Sequence, residues 1–570
     1  MCGIIAIYSK SKLDKKKCLN TLKTLKKRGP DKTLYNFFDN GKIFIGNTIL
    51  SITGKQKKNK LLYNSNKKFI AFNGEIYNYK EIIKKFFNNQ KFYNDTDLLI
   101  KLISNKGLKN SVKYLDGMYA FLIYDKKEKK IQFVTDPQGE KRFFIYKKDG
   151  LFILSSTINA IKYYVKKLDI NKTKEKEYFE TRHMLFFKDT IYKNLFLSMP
   201  GIISNFKNNF LETKYHFNSL KFINKSKYLK FKKMRNDQIV NYFDSIFKKQ
   251  IYEMIPERKF GTIVSGGVDS SLISFYLNSL SKPHCFAGID HLGKDKVIKK
   301  LNYFENVLKK NISSVKLSDK KYYNSLKKVY LNLGFPFLTH DYVSRHIISK
   351  HFKNQKCKVF FSGDGADELF GGYNLYSKIK WKSFKNSSPY SKINGNKNSY
   401  SEIIWNKAYK KFLKFQSPNE ASIQSSLFTD YFIQGVSVAN IGTDILSGEN
   451  SIETRNPFIQ KRIIENVINL PIKYKLNLSS KKNIMKCKPL LKQIFLKIYG
   501  KKLLFKKQGF SGFPNETKRF WNKTLNHEFI KFKKDLNINS KINKAFEWKL
   551  LNMFYFKKFL LNQTFKDTSL

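Results

Sequence analysis

Lys259-Phe-Gly-Thr-Ile-Val-Ser-Gly-Gly-Val-Asp-Ser-Ser271 is the stretch on which the reading of the fold turns. Phe260 to Val264 predicts a short buried strand, Ser265 to Ser271 a tight loop of glycines and hydroxyls, and Ser271 to Leu280 an apolar-faced helix. Glycines let the backbone approach a ligand closely, and the free N–H groups that open a helix point at whatever the loop holds, which suits a phosphate. No Gly-Lys-Ser/Thr ending follows, so the loop is not the usual mononucleotide P-loop. A bare Gly-Gly would equally make an ordinary strand-to-helix turn; the whole string after a strand favours the phosphate.

Outward from this loop, Gln238 to Ile255 reads as a helix leading in. His284 to Ile289, Ser313 to Leu317 and Lys358 to Phe361 read as strands, with a helix over Lys294 to Leu308. Strands alternating with helices predict a parallel sheet with ligands at the carboxyl ends of its strands. The strand ending at Phe361 runs into Ser362-Gly-Asp-Gly-Ala-Asp-Glu-Leu-Phe-Gly-Gly-Tyr373. Asp364, Asp367 and Glu368 beside flexible glycines make a poor structural element but a good loop for magnesium and polar ligands. Taken alone, it could equally be an acidic surface turn.

The chain has 570 residues, 41% hydrophobic and 16% aromatic, which allows two or three domains with sizeable cores and excludes disorder throughout. Its net charge of +65 comes almost wholly from lysines scattered along the chain. Together with abundant Asn, Ile, Phe and Tyr this is compositional drift with solvated lysines, and no specific nucleic-acid partner is expected. Cys2, Cys18, Cys285, Cys357 and Cys487 are far apart and include no CxxC pair, so neither a disulfide framework nor a zinc site is indicated. No apolar run is long enough for a membrane span and no signal segment is seen, so the expected location is cytoplasmic.

Met1-Cys2-Gly3-Ile4-Ile5-Ala6 places a thiol behind the initiator and opens a strand-like run. Removal of Met1 would leave Cys2 with a free α-amine of pKa near ~8, able to take the thiol proton and return it to a leaving group. A cysteine there is also a common accident. The chain continues, however, through Arg28-Gly-Pro-Asp31, Phe72-Asn-Gly-Glu-Ile-Tyr-Asn78, Asn94-Asp-Thr-Asp97 and Asp116-Gly-Met-Tyr-Ala-Phe121.

In that order these strings resemble the glutaminase domain of amidotransferases with an N-terminal nucleophile. The resemblance implies an α+β fold, an αββα sandwich, with strands at Lys42 to Ile45, Phe69 to Phe72, Ala120 to Tyr124 and Ile131 to Val134. It implies that Cys2 attacks glutamine, that the Asn73 side chain and Gly74 N–H receive the oxyanion, that Asp95 binds the α-amino group and that Glu75 shapes the pocket. Ser265-Gly-Gly-Val-Asp-Ser-Ser271 is similar to the loop of enzymes that split ATP into AMP and pyrophosphate. With Ser362 to Tyr373 it resembles the synthetase domain of glutamine-hydrolysing asparagine synthetase, implying an α/β domain. On that resemblance Ser265, Gly266, Gly267, Val268, Asp269, Ser270, Ser271, Ser362 and Gly363 bind ATP and pyrophosphate. Asp269 and Asp367 hold magnesium, and Asp364 helps deprotonate ammonia. Ser451-Ile-Glu-Thr-Arg-Asn-Pro-Phe458 resembles Leu-Glu-x-Arg-x-Pro-Phe. Lys488-Pro-Leu-Leu-Lys492 resembles a segment whose first lysine, Lys488 here, neutralises phosphate charge. Lys506-Lys-Gln-Gly-Phe510 resembles a string near the domain end.

The implied organisation is a glutaminase domain over 2–206, a Lys/Asn-rich linker or exposed connection from Asn218 to Arg235, a synthetase domain over 236–530, and a 531–570 tail of no recognised role. Tyr376 to Ser401 reads as an exposed insertion. The implied activity is a ligase amidating aspartate with nitrogen from glutamine, with ATP and magnesium and without a membrane; a homodimer is compatible. Departures stand against it. Ile49 occupies the place of an arginine that clamps the glutamine α-carboxylate, Arg142 that of a proline, Thr157 that of a glutamate and Gln460 that of an aspartate. Gly334-Phe-Pro336 replaces Asp-Glu-Pro. They leave three alternatives: another carboxylate acceptor such as a surface sugar or a secondary metabolite, an ammonia-dependent synthetase with a silent first domain, and a non-enzymatic polyanion binder.

Overall fold

The computed structural model describes residues 1–54, 62–63, 68–180, 188–281, 283–290, 295–337, 341–373, 376, 400–432, 439–477, 479, 483–501, 523–536, 538 and 544–561. The 506–510 string and nearly all of the 376–401 insertion lie outside them. Among the described residues the strands form three sheets.

Alternation along each strand builds the first half. In Gly3–Tyr8, Ile4 and Ala6 face one cluster while Ile5 and Ile7 face another. In Gly117–Asp125, Ala120, Leu122 and Tyr124 point one way and Tyr119, Phe121 and Ile123 the other. A period of two on strands buried on both faces demands two cores per sheet. Accordingly two six-stranded sheets, antiparallel in every paired strand, stack on a shared apolar layer. Helices Lys15–Lys23 and Ile158–Val165 cover the first sheet, and Tyr79–Phe86 and Asp95–Lys106 the second. This is the αββα sandwich expected from the motifs. The sandwich sets Gly3–Tyr8, which follows directly on Cys2, beside Ile43–Ile49, with Gly3 opposite Thr48.

The second half is α/β. Its parallel sheet runs Ile312–Lys316, Cys285–Asp290, Phe260–Ile263, Val359–Phe361, Glu453–Arg455. The chain leaves the central strand Phe260–Ile263 toward one edge, then returns to its other side at Val359–Phe361. That reversal opens a crevice beyond the carboxyl ends of these two strands. The loops 264–267 and 362–365 both start there.

Two segments differ from expectation. The Asn218 to Arg235 run is not a bare linker, for Lys225–Lys233 is a helix capped by Asn224 that buries Tyr228 and Phe231. Those rings stand three residues apart and so share a face despite the lysines around them. In the tail, helix Lys544–Phe556 lies between the two halves. Lys549 Nζ donates to Phe179 O at 2.8 Å, and Tyr330 OH donates to Asn552 Oδ1 at 2.5 Å. Leu551, 1% exposed, shares an apolar cluster with Ile161 of the sandwich and Leu326 of the second half. Leu551→Ala is therefore expected to cost about 2–5 kcal/mol, read as a lower urea midpoint for the interface-linked transition.

Candidate active sites

The first site is built where Gly3–Tyr8 meets the hairpin of Lys68–Ile76 and Gly117–Asp125. Cys2 N donates to Asn73 Oδ1 at 2.9 Å, and both residues are buried. With Oδ1 so engaged, the Nδ2 end of the same amide is the end left to donate. Gly74 has φ +151°, and a Cβ there would meet Met118 O at 2.0 Å, so only glycine fits. Burial raises the Cys2 thiol above its ordinary range; the nearby amine and a hydrogen bond from the Leu50 backbone pull the other way. Burial likewise lowers the Met1 amine to about 6.

Asp95 opens helix Asp95–Lys106 and accepts from Ile76 N at 3.2 Å. Burial lifts its carboxyl to about 7. Glu75 accepts from Thr53 Oγ1 at 2.6 Å and is raised well above the carboxylate range, by burial first and by Asp95 second. Ile49 is buried and brings no charge.

Residues of the second half complete this site. Arg28 Nε donates to Cys2 O at 3.0 Å while its NH2 group meets Asp444 Oδ2 at 2.7 Å. Lys141 Nζ meets Asp444 Oδ1 at 2.6 Å. Arg455 NH2 stands 3.5 Å from Glu75 Oε1. Arg28 and Arg455 lie in strings noted in the sequence, but Asp444 carries no motif signal; only docking reveals it. At the same edge Gln460 Nε2 donates to Glu140 Oε1 at 2.9 Å, and Arg142 turns back to Ser198 O of its own half.

The second site occupies the crevice. Ser265 Oγ and Ser270 Oγ are 2.8 Å apart, and Gly267 N donates to Ser265 Oγ at 3.3 Å, folding the loop back on the start of helix Val268–Ser281. Gly266 has φ +72°. Gly363 lies against the loop, since a Cβ on it would come 3.0 Å from Asp269 Cβ. Ser362, Gly363 and Ser265 to Ser270 are thus brought together, whereas Ser271 is fully buried behind the loop with its carbonyl accepting from Tyr499 OH at 2.7 Å.

Lys488 Nζ bridges Asp269 Oδ2 and Asp367 Oδ1, each at 2.6 Å. Burial alone would lower its pKa, but the two carboxylates outweigh burial and hold it above the ordinary lysine range. Asp364 is gripped by Arg345 through both terminal guanidinium nitrogens, NH2 to Oδ1 at 2.9 Å. Arg345, which the motifs do not mark, also donates to Asp341 at 2.7 Å and Thr443 Oγ1 at 2.9 Å. Among the described residues no cluster of three or more His, Cys, Asp or Glu gathers as a metal site. No described helix is long and apolar enough to cross a membrane.

Comparison with known proteins bears on both sites. A family model described as a glutamine amidotransferase domain matches residues 1–217, and one described as asparagine synthase matches residues 247–547. The chain belongs to the asparagine synthase family. It is an asparagine-synthetase-like, glutamine-dependent amidotransferase and ligase, and its synthase domain implies the use of ATP. A candidate glutamine-hydrolysing asparagine synthetase of Methanocaldococcus jannaschii is 24% identical over 526 residues, 84% of this chain and 82% of that one. Glutamine-hydrolysing asparagine synthetase 1 of Bacillus subtilis is 25% identical over 394 residues, 66% of this chain and 59% of that one. Among solved structures, the glutamine phosphoribosylpyrophosphate amidotransferase of B. subtilis has a TM-score of 0.28 at 16% identity, covering 50% of this chain and 64% of that one.

Asp95 gives this asparagine synthase relative a pH signature. If the ionised Asp95 holds the glutamine ammonium, its charged fraction falls as pH drops through about 7, so KM for glutamine rises below that pH. Asp95→Asn is expected to raise KM and flatten that profile, read from initial rates of glutamate formation between pH 6 and 8.5.

Proposed function

We propose that the chain converts aspartate to asparagine with glutamine as nitrogen donor, releasing glutamate, AMP and pyrophosphate. The observation that carries the reading is the Asp269–Lys488–Asp367 cluster at the mouth of the phosphate loop. An ammonium held between two carboxylates beside helix-opening N–H groups suits a triphosphate being split.

Once Met1 is removed, Cys2 N becomes a free amine oriented by Asn73 Oδ1. It takes the thiol proton as Sγ attacks the glutamine amide, and Asn73 Nδ2 with Gly74 N–H receives the oxyanion. The same proton passes to the departing ammonia, and water then hydrolyses the γ-glutamyl thioester to glutamate. In the second site the aspartate β-carboxylate attacks the α-phosphorus of ATP, pyrophosphate leaves, and ammonia displaces AMP from the β-aspartyl-AMP. Lys488 neutralises charge on the phosphates. For Asp364 to act as a base, Arg345 must first release it.

Asp269 and Asp367 suit magnesium, because two hard carboxylate oxygens that share one ammonium are close enough to share a cation. With phosphate oxygens they would hold it, and it would supply further neutralisation of the leaving pyrophosphate.

A second reading, amidation of another carboxylate, rests on Gly334 and Phe335. Both are buried in the core, Gly334 O accepting from Tyr192 OH at 2.5 Å, so neither supplies the acidic groups that stand there in the family.

Purified protein given ATP, magnesium and aspartate should form asparagine from glutamine and from ammonium. Cys2→Ala should abolish the glutamine-supported reaction by about 1,000-fold or more and spare the ammonium-supported one. Failure to release pyrophosphate with either donor would overturn aspartate as acceptor. Lys488→Met should lower pyrophosphate release about a hundredfold with either donor, at constant glutamine hydrolysis.

A further inference from the structure

Glutamine presents an ammonium and a carboxylate on one carbon, so a pocket that selects it needs an anion and a cation as near neighbours. Asp95 is the candidate anion. Ile49 leaves the sandwich without the cation at the place where the family motif carries one.

We propose that Arg455, supplied by the second half of the molecule, binds the glutamine α-carboxylate and takes over the clamp that Ile49 cannot provide. The assignment rests on the glutamine reading given above. Arg455 ends the strand Glu453–Arg455 and is 2% exposed. Nε donates to Glu453 Oε1 at 3.0 Å, NH1 donates to Met254 O at 2.5 Å, and the guanidinium lies 5.4 Å from the centre of the Tyr77 ring. These contacts anchor one side of the guanidinium. The NH2 group makes no hydrogen bond among the described residues and faces Glu75 Oε1 at 3.5 Å.

A buried donor of this kind left without an acceptor is costly, and a substrate carboxylate would satisfy it. Glu75 does not satisfy it, because its Oε1 at 3.5 Å makes an ion pair with the NH2 group but no hydrogen bond. Asp95, Glu75 and Arg455 act on one another electrostatically, as groups that grip the two ends of one α-amino acid must. Since Glu453 balances Arg455, a zwitterion adds no net charge to the buried site. The glutamine pocket is then complete only when the two halves are docked.

The test measures glutamine binding by calorimetry in the Cys2→Ala protein, which holds the ligand without turning it over. Adding Arg455→Gln should weaken glutamine about tenfold to a hundredfold. It should leave 4-aminobutanamide, which lacks the α-carboxylate, unaffected. Adding Ile49→Arg to that pair should recover glutamine affinity by about tenfold, which a purely structural arginine would not allow. Unchanged glutamine affinity in Arg455→Gln, or equal losses for both ligands without recovery by Ile49→Arg, overturns the assignment. Failure of Cys2→Ala itself to bind glutamine overturns the glutamine reading and this assignment with it.

Discussion

Asp444 is held by Arg28 on one carboxylate oxygen and by Lys141 on the other, and all three side chains are nearly inaccessible to water. Burial would raise the Asp444 pKa, but the two cations outweigh it and hold the carboxyl below its usual range. Taking three charges out of water costs several kcal/mol for each ion, so the triad adds little net stability. Its effect is on register, because displacing one partner strands the others, at a cost of about 3–5 kcal/mol. Arg28 also holds Cys2 O, so the docking of the two halves and the placing of Cys2 depend on the same guanidinium.

The crevice follows the same electrostatic logic. Asp269 comes from the start of one helix and Asp367 from the first turn of the short helix Ala366–Phe370 after a neighbouring strand, and the parallel sheet brings them together where like charges would repel. Lys488 resolves the repulsion. Its backbone takes the left-handed region at φ +52°, unusual for a residue with a side chain, and Gly372 passes so close that a Cβ there would lie 2.0 Å from Lys488 Cε. Strain and close approach at one point are the mark of a position selected for what its side chain reaches.

Several departures from the family strings acquire physical reasons. An aspartate at 460 would set a carboxylate against the buried Glu140, whereas the Gln460 amide donates to it. Thr157 caps the helix Ile158–Val165, its hydroxyl accepting from Ala160 N at 3.4 Å. Arg142 donates to Ser198 O of its own half, and burial lowers it to about 9. Of the neighbouring side chains, Lys141 and Glu140 make the contacts across the interface.

Much of this was legible in the sequence. The run from Met1 to Ala6 and the stretch Ala120 to Tyr124 read as strands, and the glycine and hydroxyl string after Val264 read as a loop at a strand end. Local rules sufficed there, since chain geometry alone sets which way successive side chains point. The helix at Lys225–Lys233 escaped because its lysines mask two rings three residues apart. Asp444, Arg345 and the reach of Arg455 into the first pocket escaped for another reason. Each side chain belongs to one half and meets its partners in the other or in a distant turn, with Arg28 and Asp444 lying 416 residues apart. The sequence by itself determined the two folds and the glycine- and hydroxyl-rich loop that follows a strand, because each is written in short strings of neighbouring residues. Only the tertiary structure decided which charges meet at Asp444, Lys488 and Glu75, because the packing of segments distant in sequence sets both their neighbours and their burial.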